Sequence, residues 1–182
     1  MTNPDFVLTQ DYLRTAVMYN MVTGNFTWKI RPRSHFKTTG QYKNWNGRYP
    51  GTIAGKVDNN GYLNIKVNHQ LHRAHRLAWF HVYGKWPDVL DHEDGDRLNN
   101  RLLNLRETTY TGNNQNACRR CDNKSGITGV HQDTRTGKWI VVINVNKKRF
   151  KLGRTFDFFE ACCLRKSAER KHGFHVNHGR TK

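Results

Sequence analysis

An aspartate and a histidine open the segment Asp91-His92-Glu93-Asp94-Gly95-Asp96-Arg97-Leu98-Asn99-Asn100-Arg101-Leu102-Leu103-Asn104-Leu105-Arg106, and Asn113-Asn114 begins nine residues after Asn104. These types suit phosphodiester hydrolysis, which needs a base for the attacking water and a cation to hold the phosphate and stabilise the leaving oxygen. Histidine is the natural base near neutral pH. Asp and Asn oxygens suit a hard divalent cation that keeps its remaining positions for water and phosphate. The plainer reading is that Asp-x-Asp-Gly and Asn-Asn strings mark turns. An incomplete calcium loop is a further plain reading, although Asp91-x-Glu93-x-x-Asp96 lacks the EF-hand spacing and no Glu closes it twelve residues on.

The chain around this segment is strongly basic. Its 182 residues carry 31 Lys or Arg against 14 Asp or Glu, a formal charge of +17. Such a balance points first to a polyanion, most often nucleic acid. Five Trp, seven Tyr and nine Phe are too many rings for a solvated tail. The charge is uneven: residues 1–117 hold 15 basic and 9 acidic side chains, net +6, and residues 118–182 hold 16 and 5, net +11. The C-terminal third is therefore the stronger electrostatic footprint. No run approaches eighteen apolar residues and the N-terminus has no basic-then-apolar leader, so no membrane span, secretory signal or membrane partner is expected. The expected compartment is the cytoplasm.

The elements that must position these groups are short. Leu8, Tyr12, Leu13 and Ala16 after Thr9 suggest a helix. Runs at 24–28, 53–57 and 62–67 suggest strands, with Asn59-Asn60-Gly61 as a hairpin turn. His75 to Tyr83 reads as a helix closed by Gly84. The polar stretch 119–125 reads as a linker. Beyond it Trp139, Val141, Ile143 and Val145 alternate with Lys138, Ile140, Val142 and Asn144, a strand signature. Asn146-Lys147 turns into a second strand, and Phe156 to Lys171 reads as a helix. The fold class expected is α+β, with an N-terminal extension and catalytic part over 1–118 and a second domain over 126–182.

The string DHEDGDRLNNRLLNLR followed by TTYTGNNQN resembles the HNH endonuclease motif in its phage and intron-borne homing form. His75-Arg76-Leu77-Ala78-Trp79 and Gly84-Lys85-Trp86-Pro87 match the usual lead-in, so the resemblance spans most of residues 24–117. It implies a ββα-metal core in which two strands and a helix clamp one divalent ion against the scissile phosphate of double-stranded DNA. It implies catalytic roles for His92, as general base, and Asn104, which ties the motif loop together. Asp91 and Asn113 become the metal ligands. Asn stands at 113 where His is common, which favours magnesium or manganese over zinc, since amide oxygen is the harder donor. Arg101 and Arg106 are candidate phosphate contacts that no motif assigns. The implied products carry 3′-hydroxyl and 5′-phosphate ends, and no small-molecule cofactor is expected.

Segment 125–175 resembles a second family, the Apetala-two/ethylene-response-factor DNA-binding domain, through Ser125-Gly126-Ile127-Thr128-Gly129-Val130-His131, Gly137-Lys138-Trp139, Lys151-Leu152-Gly153 and Phe156-Asp157. That family lays a three-stranded sheet into the major groove. Strand alternation would present His131, Lys138, Asn144, Arg149 and Lys151 to DNA and pack Trp139, Val141, Ile143 and Val145 on the helix through Phe159 and Cys163. Cys118 and Cys121 have zinc-ligand spacing without a second pair, so reduced thiols are the favoured reading. His72 and His75 could form a second metal site but read better as structural or phosphate-contacting groups. His172, His175 and His178 read as a mobile tail. Competing functions are a non-catalytic DNA-binding protein and a nicking factor acting with a packaging partner. The oligomeric state is open, with a monomer favoured.

Overall fold

A computed structural model describes residues 7–181. Chain packing divides it into two compact units, the first ending at Glu107 and the second beginning at Thr108. Helices and small antiparallel sheets make up both, an α+β composition.

In the first unit, helix α1 (Gln10–Ala16) starts where the Thr9 side chain accepts from the Tyr12 N–H, and it buries Leu13 and Ala16. Strands β1 (Val17–Tyr19) and β2 (Phe26–Trp28) pair antiparallel. Helix α2 (Thr39–Arg48) was not anticipated by the sequence reading: a capping box between Thr38 and Gln41 starts it, and it has no fully buried residue. The 53–57 run reduces to a two-residue strand β3 (Lys56–Val57), joined to β4 (Leu63–Val67) and β5 (Gln70–Arg73). The Asp58 carboxylate closes the β3–β4 turn by accepting from the Asn60 and Tyr62 N–H groups and the Asn64 amide. Helix α3 (Ala74–Tyr83) ends on left-handed Gly84. One apolar core joins Leu13, Val17, Phe26, Ile65, Leu77, Phe80 and Leu105. Leu105 belongs to β7 (Leu105–Glu107), the partner of β6 (Leu90–His92), so this strand pair is anchored directly in the core.

The second unit contains α4 (Tyr110–Gln115), strands β8 (Val130–Gln132), β9 (Trp139–Val145) and β10 (Lys148–Thr155) in the order β10-β9-β8, and helix α5 (Phe158–Lys171). Asn146 and Lys147, both at positive φ, form the tight β9–β10 turn. Helix α5 starts two residues later than the sequence reading placed it, because Asp157 caps the Phe159 and Glu160 N–H groups.

Three expectations need correction. Phe159 is 75% exposed and Cys163 is exposed, so neither packs on the sheet. The inward face of α5 is Ala161, Leu164, Arg165 and Ala168, a helical three-to-four spacing set by the Asp157 cap. Arg165 replaces apolar bulk there: its guanidinium donates to Glu169 at 2.8 Å and to the Val142 carbonyl at 2.5 Å. A Cβ on Gly129, at φ +78°, would collide with that same carbonyl and guanidinium, so no larger residue fits. The 119–125 stretch is not a free linker. Arg119 donates its N–H to Arg180 and its guanidinium to Gly126, and Asn123 bonds Gly126 and Ile127. The closing residues are not a loose tail either. His178 is buried beside Arg165, and His175 and Gly179 donate backbone N–H groups to Gln115 and Ala117.

Candidate active site

Strands β6 and β7 set Asp91 opposite Arg106 and His92 opposite Leu105. Asp91 and His92 are neighbours on β6, and the Asp91 carboxylate is one of the charges that act on the His92 ring. His92 is buried, whereas the Asp91 carboxylate is about one-tenth exposed and accepts from Arg106 at 3.2 Å.

The loop from 93 to 101 is held from both ends. Asn104 donates to the Asp94 carboxylate at 2.9 Å and to the Asn99 carbonyl at 2.8 Å, and its own amide oxygen accepts the Asp94 N–H at 3.1 Å. Asp94 also accepts from the Asp96 N–H and the Asn99 amide. Burial opposes ionisation of Asp94, but the bonds from Asn99, the Asp96 N–H and Asn104 outweigh it and hold the carboxyl below its usual range. From the N-terminal side, the Tyr19 hydroxyl donates to the Asn100 carbonyl at 2.7 Å. Gly24, at φ +77°, lies so close to the Asn100–Arg101 backbone that a Cβ would approach it to 2.7 Å. The β1–β2 hairpin therefore fixes this loop from below.

Asn100, which the sequence did not single out, lies buried against His92. It is 1% exposed, and its amide nitrogen donates to the Leu98 carbonyl at 3.1 Å. That orientation turns Oδ1 toward His92 Nε2, 3.3 Å away. An amide oxygen accepts, so this contact favours the His92 tautomer that carries its proton on Nε2. Burial lowers the His92 pKa, only partly offset by the bond to Asn100 and by Asp94, Asp91 and Asp96. The ring is thus neutral and ready to accept a proton throughout the neutral range.

His75, at the start of α3, stands edge-on to His92 with ring centroids 4.9 Å apart. Burial, then His92, Arg73 and Arg76, push its pKa down to about 3. Unfolded, a histidine titrates near 6.5, so the unfolded chain takes up this proton first. Stability from His75 is complete above about pH 6.5 and is lost as pH falls toward 3, on the order of several kcal/mol. The expected result is a melting temperature that drops steeply with acidification across that window, and a shallower drop for His75→Phe. A wild-type melting temperature flat between pH 6.5 and 4 would contradict the neutral, buried pair.

Arg73 and Arg97 also escaped the sequence reading. Their guanidinium groups lie 4.0 and 4.7 Å from the Tyr62 ring centroid, and that ring is 6.3 Å from His92. They bring positive charge to the His92 side of the pair. Arg106 is committed to Asp91 and approaches Glu93 at 4.0 Å, and Arg101 is exposed. Asn113 is exposed on α4 in the second unit.

On the sheet of that unit, register groups the other candidates. His131 faces Ile140, Ile140 faces Arg154, Val142 faces Lys151 and Asn144 faces Arg149. Directly opposed residues share a face. A bulge between Lys151 and Gly153 shifts the period, so Arg154 joins Arg149 and Lys151. Val142 is nevertheless buried, and Lys138 precedes β9 with its ammonium 4.9 Å from the Phe156 ring.

Among the described residues no group of three or more His, Cys, Asp or Glu is placed to hold a metal, Cys118 and Cys121 included. The donors that remain are oxygens, and the mostly buried Asp91 carboxylate already draws a cation in Arg106.

No match was found among curated proteins or among solved structures. The model of one family, described as HNH endonuclease, matches residues 72–115, which run from β5 through the Asp91–His92 strand pair into α4. Residues 72–115 are thus similar to HNH endonucleases, and the match supports a nuclease enzyme, a phosphodiester hydrolase.

Proposed function

We propose that the protein is a metal-dependent endonuclease of the HNH homing type that nicks or cuts double-stranded DNA. The observation that carries this reading is the buried His92, in contact with Asn100 and next to Asp91 on one anchored strand pair. His92 Nδ1 takes the proton of the attacking water. Asn100 holds the ring, and Asn104 holds the loop that carries Asn100. Asp91 and Asn113 are the proposed ligands of one magnesium or manganese ion, which supplies charge to the phosphate and the leaving oxygen. Arg73 and Arg97 add positive charge for the substrate backbone. The β-β-α order of β6, β7 and α4 supports a ββα-metal core. A phage-encoded origin would place the enzyme in the cytoplasm of a bacterial host.

Hydrolysis in this mode leaves 5′-phosphate and 3′-hydroxyl ends. Nicked plasmid made by the enzyme in magnesium should therefore be resealed by DNA ligase without end repair, and none should form in EDTA. Unligatable ends would exclude the proposed attack.

The second unit is proposed as the DNA-positioning module, similar to the ethylene-response-factor domain, with Arg149, Lys151 and Arg154 as phosphate contacts. Each phosphate neutralised contributes roughly 0.9 to the slope of log affinity against log salt. Replacing all three by Ala should flatten that slope by about two to three units in a duplex-binding titration run in EDTA. An unchanged slope would remove this face from DNA binding.

A further inference from the structure

A pocket of about 650 Å³ opens in the first unit between α2 and the β3–β5 sheet, apart from the His92 strand pair. Its lining holds five Lys or Arg and no Asp or Glu. One wall is aromatic: Trp45 lies 4.3 Å from Tyr49, 5.0 Å from Trp28 and 6.2 Å from Phe36, centroid to centroid.

Arg31 is the unusual member. It is 6% exposed, yet no carboxylate pairs with it among the described residues. Its Nη2 donates to the Tyr12 hydroxyl at 2.7 Å and its Nε to His35 at 3.3 Å. Its guanidinium carbon sits 4.8 Å from the Phe36 ring and 4.9 Å from Trp45. Nη1 has no hydrogen-bond partner among the described residues. A guanidinium keeps its charge in a protein, and a buried charge without a counter-ion is costly. Burial pulls the Arg31 pKa down, and the Tyr12 hydroxyl partly offsets this. Arg31 lines the pocket.

We propose that this pocket seats an unpaired nucleotide of a DNA strand, its phosphate held by Arg31 with Lys56 and Lys66 at the opening and its base packed on the Phe36–Trp45–Tyr49 wall. The chemistry recognised is that of a nucleotide, phosphate plus aromatic base. Stacking needs the face of a base, which a duplex hides, so the strand must be unpaired locally. Five cations exceed what one terminal phosphate requires and suit a backbone entering and leaving. Naming the strand as DNA rests on the nuclease reading; the pocket itself does not.

The test uses the full chain in EDTA, where nothing is cut, and a short fluorescent single-stranded oligonucleotide. Lys56 and Lys66 are exposed, so Lys56→Glu/Lys66→Glu should fold normally; Arg31→Gln is the second variant, with its fold checked by circular dichroism. Each should weaken single-strand binding at least tenfold while altering duplex binding much less. A free deoxynucleoside monophosphate should compete far more weakly than the strand. Unchanged single-strand affinity in the double variant, or equal loss on single strand and duplex, overturns the proposal. A monophosphate that competes as well as the strand overturns it too, and assigns the pocket to free nucleotides. Plasmid cleavage in magnesium is read separately: failure there counts against the nuclease reading and leaves the binding result standing.

Discussion

His92→Ala should lower the single-turnover cleavage rate about a hundredfold to ten-thousandfold, the range expected when a general base is removed. That loss corresponds to roughly 2.7–5.5 kcal/mol of barrier. Duplex affinity should change little, since the ring is 4% exposed and bonded to Asn100, offering little surface to DNA. The pH profile gives an independent signature. Because the His92 pKa lies below its ordinary value, the acidic limb of the wild-type rate should fall below pH 6.5. Protonation on that limb removes the base, so the rate rises with pH and then levels. The variant should lose the limb as well as the rate. Asn100→Ala should keep the affinity and reproduce part of the loss, since the ring is then free to take the wrong tautomer. Near-normal cleavage by His92→Ala would remove this residue from the mechanism.

Asp91→Ala should abolish cleavage at low magnesium. Asp91 supplies the only formal charge in the proposed ligand pair, so its loss should hurt more than Asn113→Ala, where one neutral oxygen is missing. Excess manganese should restore part of the activity of Asn113→Ala and less of Asp91→Ala. The fold should survive the Asp91 change, because its Arg106 partner is one-third exposed and water can replace the carboxylate. A magnesium titration of the rate separates the cases: the half-saturating concentration should rise for both variants. Activity that persists in EDTA, or two variants titrating like wild type, would show that these oxygens hold no metal.

The local signals in this chain were legible where one residue type forces one geometry. Asn59-Asn60-Gly61, Gly84 and Asn146-Lys147 gave turns and a helix stop in the right places, because few residues tolerate positive φ. Helix α2 was missed because eight of its ten residues are polar or Gly. Yet the Thr38–Gln41 capping box and the aromatic spacing Tyr42, Trp45, Tyr49 were present to be read. The face of α5 was misjudged for another reason. Phe159 looks like core by hydropathy, but the sheet accepts small Ala161 and the charged Arg165–Glu169 pair, a choice no periodicity rule encodes. The bulge beside Leu152 likewise has no sequence signal, and it is what brings Arg154 onto the face of Lys151. In the candidate site, Asp91, His92 and Asn104 stood out through the resemblance to the HNH motif. Asn100 did not, because its role depends on which way an amide turns, and Leu98 and His92 decide that only in three dimensions.

The central claim is that this basic chain hydrolyses DNA with a divalent ion at the Asp91–His92 strand pair. The most direct measurement incubates the purified full chain with supercoiled plasmid, with magnesium and with EDTA. Open circles or linear DNA in magnesium, absent in EDTA and absent with His92→Ala, is the result this account predicts. Plasmid left supercoiled in both magnesium and manganese, or relaxed equally by His92→Ala, would contradict it.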